Sequence, residues 1–201
     1  MDRPTQLFLI RHGESTDTRA RRFSGFSDPP LTEKGRGQAE QIGKRLSNVL
    51  LSAVYTSDLK RAECTAQIIA LPHGLTPIPT ADLREQHFGI WEGRTYGEIV
   101  SADREAWDAW MADVWTRCPP EGETAAEMSR RGLDALRGIM KQHSGEAVVV
   151  VSHAGPIWAT VIEVLGIAQE ACWNFRIDLA SITELACYEN RWVVTGLNGR
   201  P

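Results

Sequence analysis

The sequence predicts an α/β fold, a mostly parallel central sheet with helices on both faces, in a single domain over residues 1–201. Three observations predict it. Short apolar runs alternate with stretches of three- and four-residue apolar spacing, the pattern of strands interleaved with amphipathic helices. Val148 to Val151 is continuously apolar rather than alternating, which suits a strand covered on both faces. Two apolar runs, "LFLIRHGES" (Leu7 to Ser15) and "VVVVSHAGP" (Val148 to Pro156), stop on a histidine with a glycine close by. In open sheets, ligands bind beyond the carboxyl ends of the strands.

Leu7–Ile10 is the first buried strand. Thr16–Pro30, rich in Arg, Ser, Asp, Gly and Pro, is expected to be a long loop, and long loops in compact domains are often functional. Thr32 caps a helix with Ala39, Ile42, Leu46 and Val49 on one face. Ala53–Thr56 is a short second strand. Ser57 is expected to cap the next helix, whose buried side carries Leu59, Ala62, Ala66 and Ile69. Three prolines and a glycine in "LPHGLTPIP" break the pattern. Tyr96 to Trp115 is helical, with Trp107, Trp110, Met111, Val114 and Trp115 clustered. After "CPPEGE" a long helix places Leu133, Leu136, Ile139 and Met140 inward. Ile157–Leu165 is helical, and Ser181–Leu197 is a hairpin turning near Glu189-Asn190. No internal repeat or low-complexity segment is present.

A chain of 201 residues supports one substantial core. No apolar run approaches the roughly 20 residues that span a bilayer. "MDRPTQLFLIRHG" has too short an apolar stretch for a secretory signal, so a cytoplasmic protein without membrane contact is expected. The net charge of -4 argues against nucleic acid as a partner, because duplex binding draws on Lys and Arg. It leaves open a locally positive pocket for a small anion. Cys64, Cys118, Cys172 and Cys187 are scattered, with no CxxC pair, and read as thiols in a reducing compartment. Nothing calls for a cofactor, and a homodimer is left open.

A lone histidine is more often a satisfied polar group than a catalyst. Here two of them follow buried strands. Arg11 precedes His12, and Gly13 lets the backbone approach closely. Gly155 and Pro156 follow His153 and open a helix whose first N–H groups face an anion site. Arg61, in "TSDLKRAECTA", begins a helix after a strand. Glu85, in "LREQHFGIWEG", is followed by aromatic and glycine residues that can close it into a partly dry pocket. His12, Glu14 and His153 are also conceivable metal ligands, but no HExxH spacing or acidic cluster supports a metal site. Glu14 and Asp17 are read as structural, and His73, His87 and His143 as surface or packing residues.

"RHGE", "SDLKRA", "LREQHFGIWEG" and "VSHAG" occur in the order that resembles the histidine phosphatase superfamily, the phosphoglycerate mutase-like proteins. The likeness covers Leu7 to about Leu197. It implies that His12 is a nucleophile carrying the phosphoryl group as phosphohistidine. It implies that Arg11, Arg61 and His153 hold the phosphoryl oxygens and that Glu85 donates a proton to the leaving alkoxide, then activates water. Phosphoryl transfer asks mainly for positioning and charge stabilisation, which two guanidinium forks supply. His12 must attack as a neutral ring with its tautomer fixed at the other nitrogen, whereas a protonated His153 would add a donor. Ser24 and Gly25 match a small-Gly pair near the phosphate. Thr18 stands where many members carry Asn, and its shorter side chain is the one departure.

Within the superfamily, mutases resemble "ERHYG" after the acid, and that arginine helps hold a substrate carboxylate. Gln86 replaces it here. The likeness also leaves out the insertion that excludes water in mutases, so a phosphatase acting on a small phosphorylated metabolite is favoured. "PLTEKGRGQA", "HFGIWEG", "PPEGE" and "CWNFRIDLASITEL" are similar to the α-ribazole phosphatases, which remove the 5′-phosphate of a benzimidazole ribotide. Trp91, Trp107, Trp110 and Trp115 would supply a stacking wall, although tryptophans at helical spacing usually fill a core. A broad-specificity sugar-phosphate phosphatase and a mutase are the alternatives.

Overall fold

The computed structural model describes residues 3–189 and 191–200. In chain order the elements are β1 (Thr5–Arg11), α1 (Thr16–Ala20), α2 (Glu33–Leu46), β2 (Ala53–Ser57), α3 (Lys60–Ala70), β3 (Ile78–Thr80) and α4 (Tyr96–Ala102). They continue with α5 (Arg104–Ala112), α6 (Ala125–Gln142), β4 (Ala147–Ser152), α7 (Ala154–Leu165), β5 (Ile182–Tyr188) and β6 (Arg191–Gly199). The six strands form one sheet in the order β3-β2-β4-β1-β5-β6. β3, β2, β4 and β1 pair in parallel, while β5 and β6 add an antiparallel edge. The expected α/β architecture is thus present, with a mostly parallel sheet between two helical layers.

Strand alternation builds those layers. Leu7, Leu9, Val148 and Val150 face one way and pack with Leu136, Ile139 and Met140 of α6 and Ile157 of α7. Ile10, Val149 and Val151 face the other way, against Ile42 and Leu46 of α2 and Ala62, Ala66 and Ile69 of α3. β4 is buried along its whole length, which explains its continuous valine run. Each such fully buried side chain contributes about 1.5–3 kcal/mol relative to exposure. The surface ion pairs, such as Arg137–Glu163 and Arg104–Asp108, are worth about 0–1 kcal/mol each, so the two apolar layers hold the sheet.

Several helices begin where their caps require. Thr32 Oγ1 accepts from the Gly35 N–H at 3.1 Å and starts α2. Thr124 and Glu127 form a reciprocal capping box at the head of α6. Ser57 is not a helix cap: it ends β2 fully buried, and Leu59 is the N-cap of α3 without a side-chain bond. The expected loop after β1 contains the one-turn helix α1, closed by a Ser15–Thr18 capping box. The tryptophan-rich helix is two helices. Asp103, with φ -153° and ψ 66°, ends α4, and its carboxylate accepts from the Ala106 N–H to start α5. The proline-rich break holds β3, an edge strand paired with β2 only from Tyr55 to Ser57. The hairpin is present, with Tyr188 opposite Arg191; Asn190, at the expected turn, lies outside the described residues.

Candidate active site

β1 and β4 are neighbours in the sheet, with Arg11 opposite Ser152. His12 and His153 therefore leave adjacent strand ends side by side, and the His12 N–H donates to the Ser152 carbonyl at 3.1 Å. Their ring centroids lie 5.0 Å apart, edge to face at 61°. Both rings are buried. Gly13 makes this turn fit: a Cβ there would sit 2.4 Å from the Gly35 carbonyl oxygen, so the chain leaving β1 lies directly on the head of α2.

His12 Nδ1 lies 2.7 Å from the Gly13 carbonyl oxygen. A carbonyl can only accept, so Nδ1 carries the hydrogen and a neutral ring keeps its lone pair at Nε2. Burial, then the charges of Arg61 and Arg11, hold the imidazole well below its ordinary range, against a smaller upward pull from the Gly13 carbonyl. His153 is lowered in the same way, by burial first and then by Arg61, His12, Arg11 and Arg131. The extra donor that a protonated His153 would add is therefore disfavoured, since burial and the neighbouring cations favour the neutral ring. Among the described residues neither of its ring nitrogens has a partner, leaving a neutral ring one N–H to offer an anion.

These shifts have a stability consequence. Below pH about 6.5 an unfolded chain protonates its histidines, whereas the folded protein keeps these two neutral. The unfolded state then binds more protons, so stability falls as pH drops through that window toward the folded values. Stability is expected to fall between pH 7.5 and 5.5, by on the order of 1 kcal/mol per histidine. Denaturant melts of the parent and of His153→Asn check this. Equal losses in both proteins would count against it.

Arg61 is fully buried at the head of α3. Its Nη1 donates to Ser27 O at 2.7 Å, and Nη2 donates to Ser24 O and Gly25 O at 3.1 and 2.7 Å. It thus organises the loop between α1 and α2, while its Nε has no partner among the described residues. Arg11 Nη1 donates to Ile177 O at 2.6 Å, and its Nε is likewise unpartnered. Burial lowers the pKa of both guanidiniums and Glu85 opposes this, but arginine stays charged.

Glu85 reaches the same place from the coil after β3. Its Oε1 accepts from the Gln86 and Gly155 N–H groups, each at 3.0 Å, so the carboxyl sits on the first turn of α7. A Cβ on Gly155 would fall 2.2 Å from that oxygen, which makes glycine the residue that admits Glu85. Arg11, His12, Thr18, Ser24, Arg61 and Glu85 all line one cavity of about 220 Å³.

Three expected phosphate contacts look different. Thr18 lines the cavity, but its hydroxyl donates to Ser15 O at 3.0 Å within the α1 capping box. Ser24 Oγ is 3.2 Å from Ser27 Oγ. Gly25 is needed on its other side: a Cβ there would lie 2.1 Å from Gln86 O, so glycine lets the loop close on the Glu85 segment. Sequence reasoning missed Arg21 and Arg22 at the same cavity. Among the described residues no cluster of three or more metal-ligating side chains occurs, and no helix is long and apolar enough to cross a membrane.

A second cavity, of about 600 Å³, adjoins the first and shares Arg11, Phe23, Glu85 and Phe88 with it. Of the four tryptophans expected to form its wall, Trp107 and Trp110 do so. Trp91 is fully buried against Ile99 and Trp110, and the half-buried Trp115 packs on Trp158 at 5.6 Å, so neither lines the cavity. Trp158 and Trp173 take their place in the wall. Trp158 had no signal beyond its helical position, and Trp173 sits in a short 3₁₀ helix, Gln169–Asn174.

A family model described as histidine phosphatase superfamily (branch 1) matches residues 7–200. A protein of Erwinia tasmaniensis named probable phosphoglycerate mutase GpmB is 33% identical over 192 residues, 95% of this chain and 89% of that one. Among solved structures, Bacillus stearothermophilus YhfR superposes with a TM-score of 0.91 at 33% identity, covering 98% of each chain. A putative alpha-ribazole-5′-P phosphatase from Escherichia coli does so at 0.90 and 30% identity, covering 98% of this chain and 97% of that one. The match runs through both strand-end histidines and the segments bearing Arg61 and Glu85, and it identifies this chain as a member of the histidine phosphatase superfamily.

Proposed function

We propose that the chain is a phosphomonoesterase working through a phosphohistidine on His12. The observation that carries this reading is the His12 ring itself. It is buried and neutral, tied at Nδ1 to the Gly13 carbonyl, and it lines a cavity with Arg11, Arg61 and Glu85. In the first step Nε2 forms a bond to phosphorus as the bond from phosphorus to the ester oxygen breaks. The guanidiniums stabilise the non-bridging oxygens, and Glu85 gives its proton to the departing alkoxide. In the second step water attacks the phosphohistidine, Glu85 takes up the water proton, and inorganic phosphate leaves.

Glu85→Gln tests the acid role. It is expected to slow release of an alkyl alcohol by about 10²-fold or more, and release of a phenol with a good leaving oxygen far less. Stopped-flow measurement of the first turnover separates the two, and equal losses would contradict the assignment.

The substrate we favour is α-ribazole 5′-phosphate. The larger cavity offers aromatic walls beside the reacting centre and suits a flat heteroaromatic group better than a sugar, whose hydroxyls would lose water there without partners. Turnover of this ester against a panel of sugar phosphates, with chelator present, tests it; faster turnover of the sugars would favour broad specificity. The mutase reading is prompted by the name of the Erwinia relative. Against it, Gln86 is buried with its amide donating to Glu123 O at 2.8 Å, and brings no charge to a substrate carboxylate.

A further inference from the structure

We propose that Arg131 is a positioning residue for Glu85: anchored to Glu123, its guanidinium fixes the backbone that aims the Glu85 carboxyl at the leaving oxygen. The proposal rests on the acid role of Glu85 given above. Residues 84–88 belong to no helix or strand, so no ladder of their own holds them. Backbone carbonyls in such a segment need partners from elsewhere. Arg131 supplies them from α6. Its Nη1 donates to Asp82 O and Arg84 O at 2.9 and 2.8 Å, and its Nη2 donates to Glu85 O at 2.7 Å.

Glu123 completes the clamp. Its carboxylate accepts from Arg131 Nε at 3.1 Å and Nη2 at 2.5 Å, and both side chains are largely buried. The same carboxylate accepts from the His87 N–H at 2.9 Å, and the Glu123 N–H donates to His87 O at 3.0 Å. Arg84 is tied separately to Asp58 by two bonds, at 2.7 and 2.5 Å. The strip from 82 to 87 is thus stitched at nearly every residue, and Glu85 alone in it turns its carboxyl onto Gly155. Lysine could not reproduce the arrangement, because a single ammonium cannot span three carbonyls and a carboxylate as a planar fork does.

A residue that only stabilised the fold would affect all substrates alike. A residue acting through Glu85 affects only what Glu85 does. Arg131→Lys is therefore expected to slow first-turnover release of an alkyl alcohol by about 10²-fold, and of p-nitrophenol by much less. In a Glu85→Gln background the same substitution is expected to cost less than about 3-fold, because the group it positions is already disabled. Equal loss on both esters, or the full loss in both backgrounds, would overturn the proposal. Glu123→Gln, which loosens the anchor but keeps hydrogen-bonding atoms, is measured in parallel; should Arg131→Lys fail to fold, the same criteria apply to it. If Glu85→Gln itself fails to discriminate between the esters, the acid role falls first and this inference with it, a result readily told apart from failure of Arg131 alone.

Discussion

His12→Asn is expected to leave a folded protein that forms no phosphoenzyme and has lost at least about 10³-fold in kcat/KM. No second group replaces the lost nucleophile. The His153 ring is 5.0 Å away and presents its edge, and neither guanidinium is nucleophilic. The substitution is mild for the fold, since the Asn amide can still donate toward the Gly13 carbonyl that His12 Nδ1 meets now. Rapid quenching with a labelled phosphomonoester, followed by a test for acid-labile, base-stable label on the protein, reads the intermediate directly. Label of that kind on the variant would place the nucleophile elsewhere.

Arg61→Met is expected to damage both activity and folding. The side chain is fully buried, and its guanidinium satisfies the carbonyls of Ser24, Gly25 and Ser27. Losing such charge-assisted bonds and leaving their acceptors dry costs about 3 kcal/mol or more. For a chain of this size that lowers Tm by roughly 6–12 °C. On the proposed mechanism activity should fall by about 10²–10³-fold, because a charge lining the cavity is gone. Inorganic phosphate should raise the Tm of the parent and leave that of the variant nearly unchanged. An Arg61→Met protein with the parent Tm and a normal phosphate shift would show that this arginine is a bystander.

The sheet centre was legible because burial on both faces forces continuous apolar runs, as in Val148 to Val151. The two histidines were legible for a related reason, since a buried run that stops on an imidazole marks a strand end. Helices with one apolar face, such as α2 and α6, announced themselves by spacing, and α2 also by its Thr32 cap. What escaped lacks that local imprint. β3 is three residues at a sheet edge, pairs on one side only and contains a proline, so its sequence shows a breaker rather than a strand. The Asp103 break follows from one residue's dihedrals inside an otherwise helical pattern. The tryptophans could not be divided between wall and core, because aromatic character does not say which face meets a cavity. Arg131 resembles any helix-surface arginine until the coil it holds is folded against it.

The strand order has a consequence for synthesis. β4, which bears His153 at its end, comes late in the chain, yet it sits between β2 and β1 at the middle of the sheet. A chain still emerging from the ribosome has its first histidine early but no central strand to set it against, and no partner ring or α7 to seat the acid. Assembly of the candidate site therefore waits until β4 and the head of α7 have been made, and a product terminated before β4 has neither the second ring nor the seat for Glu85.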